Sequence, residues 1–158
     1  MIINNDTPLY DFVNYWMEHK PFKVPEDIKN PVQFVKNAQE TILYREGPFQ
    51  VELIALKPNA ASVPHTHPNT DTVLVYVSGD VDIKRKHKWY YHPFDIFKGK
   101  MPYPALPIAH DTVHSACTGP LGGSFLNIEK WINGAKPTFI GNDWMDEEGK
   151  TSYEESKL

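Results

Sequence analysis

Apolar residues near the start of the chain fall at helical spacing. Leu9, Phe12, Val13, Trp16 and Met17 form one stripe that ends near His19. Ahead of it, Asp6-Thr7-Pro8 offers a capping side chain and a proline for the first helical position; Pro21 and Pro25 close it. The pattern predicts a short N-terminal helix laid on the outside of a sheet. Residues 20–40 are broken by prolines and carry no period. From Thr41 the period becomes that of strands. Candidate strands are Thr41–Tyr44, Phe49–Leu56, the stretch Val63–Asp71, Thr72–Val77, Val81–Lys84, Trp89–Tyr91, Asp95–Phe97, Leu106–Ala109, Thr112–Thr118 and Ser124–Ile132. Ser78-Gly79-Asp80 reads as a hairpin turn, and the stretch from Thr118 to Gly123 as a loop. Short, regularly spaced strands predict an all-β sandwich or barrel.

One strand says more. In Thr72–Val77, Thr72, Leu74 and Tyr76 fall on one face and Val73, Val75 and Val77 on the other. A sheet with one face in water alternates polar with apolar. Burial of both faces predicts a closed barrel interior on one side and a helix or a second subunit on the other, so a homodimer is expected.

Composition narrows the class. The chain has 158 residues, enough for one core; it is 13% aromatic, with 14 prolines and one cysteine. No disulfide can form within it, in keeping with a reducing compartment. No apolar run reaches the length of a membrane span, and no secretion signal is visible at the start, so a cytoplasmic protein without membrane contact is expected. The net charge of −4 sits in the segment from Asp143 to Leu158; residues 1–142 balance at 14 acidic against 14 basic. The basic cluster Lys84-Arg85-Lys86-His87-Lys88 reads as a solvated loop, and no nucleic-acid partner is expected. The chain thus divides into a helix and irregular arm over 1–40, a barrel over 41–135 and an acidic tail over 136–158. The tail ends in Ser156-Lys157-Leu158, a peroxisomal import address if the organism is a eukaryote.

The chemistry concentrates at His65-Thr66-His67. Two histidines two residues apart on a strand share a face and can converge on one metal ion. His110 and His114 follow downstream. Asn127, Glu129 and Trp131 alternate with Leu126, Ile128 and Lys130 in the last strand, and Glu129 stands either at an edge in water or inside with a task.

At this point residues 49–131 resemble a single cupin domain. The first cupin motif runs glycine, five residues, His-x-His, three or four residues, glutamate, six residues, glycine. Asn59 stands at the first glycine, His65 and His67 at the histidines, and Gly79 at the closing glycine. The glutamate position falls on Asp71 or Thr72, depending on which end the count starts from. In the second motif, proline-x-glycine-two residues-histidine, Ala109 and Asp111 replace proline and glycine, and His114 matches. The resemblance implies a cupin-type double-stranded β-helix (a jelly-roll barrel) holding one divalent transition metal on His65, His67 and His114, with Asp71 as a further candidate ligand. It also implies an enzyme acting on a small organic molecule. The missing glutamate favours a three-histidine Fe(II) dioxygenase-type site; Zn, Ni or Mn lyase, isomerase or cyclase chemistry and a non-catalytic ligand-binding module are the alternatives. Tyr76, on the face of Thr72, and His110, on that of His114, are candidate catalytic groups. Cys117 reads as a buried thiol.

Overall fold

The computed structural model describes residues 2–23, 32–35, 38–62, 64–94 and 102–135. The predicted helix is present as α1 (Leu9–His19). It begins one residue later than expected: Pro8 is the cap residue, no side chain caps the helix, and Lys20 in left-handed conformation ends it with its N–H on Trp16 O. The remaining elements are strands: β1 (Val32–Val35), β2 (Ala38–Glu46), β3 (Phe49–Leu56), β4 (Thr70–Arg85), β5 (Lys88–Tyr90), β6 (Ala105–Ile108) and β7 (His114–Trp131). The candidate strand Asp95–Phe97 and the acidic tail lie outside the described residues.

The antiparallel pair β4/β7 is the spine of the molecule. Thr70 to Tyr76 of β4 pairs with the second half of β7 (Phe125 to Trp131), and Val81 to Arg85 pairs with its first half (His114 to Thr118). β3, β2 and β1 extend one half from β7, and β6 adds to it on the β4 side. β5 adds to the other half of β4, while Ala61 and His65 bridge to Cys117 and His114 of β7. The sheet therefore folds over on itself into a jelly-roll barrel.

The expected hairpin at Ser78-Gly79-Asp80 is instead a bend within one strand. β4 runs through it with register shifts between Tyr76 and Ser78 and between Gly79 and Val81, and β7 runs through the expected Thr118–Gly123 loop beside it. Gly79 (φ 80) and Gly122 (φ 66) both take left-handed conformations, and a Cβ on Gly79 would meet the Gly122 carbonyl. The glycines turn the paired strands together, as bulges do at barrel corners.

Two apolar clusters follow from the alternation. Inside the barrel lie Ile54, Leu74, Ile83, Leu106, Ile108 and Phe125, with neighbours. On the outer face Val51, Val73, Val75 and Ile128 pack with Phe12, Val13 and Trp16 of α1. Phe12 stacks on Phe49 at 4.2 Å between ring centroids. The second apolar face of Thr72–Val77 is thus covered by the chain's own helix, which removes the ground on which a homodimer was expected. Val77, at the end of the run, is exposed.

Candidate metal centre

The histidine-bearing stretch reaches the barrel by main-chain pairing rather than as a full strand. His65 and His114 exchange both N–H···O bonds at 3.0 Å, and Ser62 N donates to Ala116 O at 2.8 Å. Farther along, Asp111 N donates to His67 O at 3.0 Å. Two residues in left-handed conformation shape the approaches: Asn59 (φ 55) and Asp111 (φ 59). These are the positions where the resemblance calls for glycine, and both residue types tolerate that backbone.

The outcome is a cluster. Candidate ligand atoms of His65, His67 and His114 all lie within 4.8 Å of one another, and the ring centroids are 4.4 to 5.1 Å apart. His114 Nδ1 lies 2.8 Å from Thr112 O, so this nitrogen carries the proton and Nε2 keeps its lone pair. Burial holds the His67 imidazole well below its ordinary pKa, with further lowering from His65 and His114. Burial likewise pushes His114 down to about 3, His65 adding to it. Neutral imidazoles are the ligating form. Beside them is a cavity of about 20 Å³, room for one ion- or water-sized body, walled also by Ser62, Thr72, Leu74, Phe125 and Asn127. Donor type, convergence, protonation and space all fit a divalent transition metal.

The other candidates lie elsewhere. Thr72, not Asp71, faces the cavity. Asp71 Oδ1 instead receives the backbone N–H of His110 and lies 2.8 Å from its Nδ1, at the surface. That hydrogen bond holds the His110 pKa above the ordinary value. Strand parity explains the split: odd positions at this end of β4 point away from the histidines. His110 sits in the turn before β7, so the parity argument that put it with His114 does not apply. Tyr76 donates to Gly79 O at 2.6 Å and meets Phe94 edge-on, a packing position at the bend. Cys117 is partly buried, and burial raises its thiol pKa.

The pattern did not announce a polar network on the same interior face. Glu40, Glu52 and Glu129 are 1%, 1% and 3% exposed. Asn127 Nδ2 donates to Glu52 Oε2 at 3.1 Å and to Glu129 Oε1 at 2.5 Å; Trp131 Nε1 donates to Glu129 Oε2 at 3.1 Å. Gln50 Nε2 donates to Glu52 Oε1 at 2.5 Å, and Arg45 Nε to Gln50 Oε1 at 2.6 Å. Burial raises all three carboxyl pKa values, Glu40 and Glu129 well above the ordinary range. Both Glu40 oxygens lack a donor among the described residues, which a carboxyl resolves by keeping its proton and donating a hydrogen bond with it to Glu52. The alternation Asn127-x-Glu129-x-Trp131 was the available signal for this inward face.

Comparison with known proteins bears on the fold. No protein-family model matches the chain, and no curated protein sequence does. Among solved structures the chain is similar to KdgF from Halomonas sp. at 14% identity and TM-score 0.57, covering 72% of this chain and 96% of that one. It is similar to an RmlC-like cupin from Shewanella frigidimarina at 13% identity and TM-score 0.55, covering 72% and 92%. A third similar structure is the Cnp3 cupin domain of Schizosaccharomyces pombe, at 10% identity, TM-score 0.52 and coverage of 70% and 74%. With its bent β4/β7 spine, its covering helix and its interior histidine cluster, the chain has the fold of a small cupin.

Proposed function

We propose that this protein is a metal-dependent cupin enzyme acting on a small organic molecule, with one divalent transition metal on His65, His67 and His114. The observation that carries the reading is the convergence of three imidazoles on a space of ion size. Imidazole suits iron, zinc, nickel and copper alike; with Fe(II), three neutral ligands leave positions for a chelating substrate and O₂, which favours a dioxygenase-type reaction. The bound ion would supply Lewis acidity and, for iron, redox capacity.

The chain's own residues restrict that chemistry. Thr72, Ser62, Ser115 and Asn127 bring polar side chains to a wall otherwise built largely from Ile54, Leu74, Ile83, Ala116 and Phe125, so a ligand beside the ion would meet a mostly apolar surface with a few hydrogen-bonding groups. Asp71 and His110 are engaged with each other at the surface, and Tyr76 with Gly79, and neither Tyr76 nor His110 lines the cavity.

A lyase or isomerase using zinc or nickel is the second reading, favoured by the same donor set. A binding module is the third. Cobalt-loaded protein separates an open centre from a closed one: a small chelating acid should change its visible spectrum. An unchanged spectrum would mean no exchangeable coordination position and would exclude both enzyme readings. Oxygen uptake by iron-loaded protein on dicarbonyl, thiol or catechol compounds then tests the dioxygenase.

A further inference from the structure

Three imidazole ligands bring no negative charge to a divalent cation, and a buried uncompensated charge is costly. The wall between the cavity and the rest of the barrel interior carries the answer. Thr72, on the cavity, is the cross-strand partner of Glu129, and Leu74 is the partner of Asn127. Across the other edge of β7, Asn127 pairs with Glu52. One amide on the cavity wall therefore donates to two buried carboxyls, one across the strand pair on β3 and one two residues along β7. Arg45 is the cation that acts on Glu40, Glu52 and Glu129 together. Three carboxyls facing one guanidinium cannot all be ionised in so dry a place.

Resting on the metal centre proposed above, we propose that Glu52 and Glu129, linked through Asn127 to the cavity wall, are the counter-charge of that centre: entry of the ion drives a proton from this carboxyl cluster to solvent. The O–H bond of a glutamic acid breaks, the electron pair stays on its oxygen and the proton goes to buffer; nothing is oxidised or reduced. Among the described residues, the charged groups that act on the pair are Glu40 and Arg45 from β2, and Glu52 acts on Glu129; the link to the histidine cluster is Asn127, which lines the cavity and donates to both carboxyls. Thr72, Gln50, Asn127 and Trp131 complete the surroundings without a charge. Glu129 and Glu52 are thus positioning residues that set the electrostatics of the site.

The test is calorimetric titration of Ni²⁺ into tag-free, chelator-stripped protein at pH 7.5, in two buffers of different ionisation enthalpy. An ordinary imidazole is about nine-tenths neutral there, so the histidines release few protons. Wild type should release about one proton per ion bound. Glu129→Gln and Glu52→Gln should each cut that release by half or more and weaken Ni²⁺ binding at least tenfold. Merely structural carboxyls would change stability without changing the proton count. Should either variant fail to fold, the wild type alone decides: log affinity should rise with pH at a slope near one between pH 7 and 8. One equivalent of Ni²⁺ bound with no proton release and no such slope overturns this inference and leaves the metal centre standing. No Ni²⁺ uptake at all overturns both.

Discussion

His67 and His114 are held neutral by the same burial that sets them against His65, and this gives the fold an acid limit. In the unfolded chain an imidazole takes up its proton near pH 6.5, whereas folded His114 resists until about 3. Stability from that neutral ring is therefore full above about pH 6.5 and is lost as pH falls toward the folded value. The carboxyls work in the opposite sense. Glu40 and Glu129 keep their protons in the folded state far above the ordinary carboxyl value. Their contribution is full below about pH 4 and is lost as pH rises through the raised values. Denaturant unfolding of the metal-free protein across pH 4–9 should show both slopes; Glu129→Gln should flatten the alkaline one and His114→Ala the acid one. Unaltered slopes in these variants would place the titrating groups elsewhere. Replacing Asn127 by Leu strands two carboxyls without their shared donor, and a loss of roughly 2–4 kcal/mol is expected in the same assay. The three histidines were legible because their spacing and the family motif coincide. Thr72 against Asp71 was not, because a one-residue difference in counting exchanges faces. Glu40 and Glu52 were missed for another reason: in a strand, a lone acid looks the same whether it edges into water or lines a barrel.

At the scale of elements, α1 was read correctly from its stripe, because helical periodicity survives without knowledge of the partner surface. Phe12 is fully buried and stacked on Phe49. Phe12→Ala should cost about 3–5 kcal/mol, measured by thermal or denaturant unfolding. A cost below about 1 kcal/mol would mean that the helix does not cover the sheet in solution. β3 was also legible, its bounds matching Phe49–Leu56. The β4/β7 bend was not, since glycine-centred turns and glycine-centred bulges share a local signature, and only the long-range pairing tells them apart. Gly79→Ala separates the readings: with φ 80 and the Gly122 carbonyl in the way of a Cβ, alanine must move both strands. A loss of about 2 kcal/mol or more is expected. A neutral substitution would contradict the shared corner.

For the whole molecule, a jelly roll brings residues from distant segments to one point: His65 and His67 lie about fifty positions before His114, and neither strand alone holds an ion. None of the described helices is long and apolar enough to cross a membrane. Because only the folded barrel assembles the three imidazoles, a bound ion should stabilise the fold by about 2.7 kcal/mol at a hundredfold excess over its dissociation constant. Whether this cluster holds a metal is decided by elemental analysis of protein purified without chelator or added metal, beside a His65→Ala/His114→Ala variant shown to be folded by circular dichroism. About one equivalent of a transition metal is expected in the native chain, and its loss in the variant. Equal metal content in both would contradict the site, as would a native chain that neither carries a metal nor binds one when supplied.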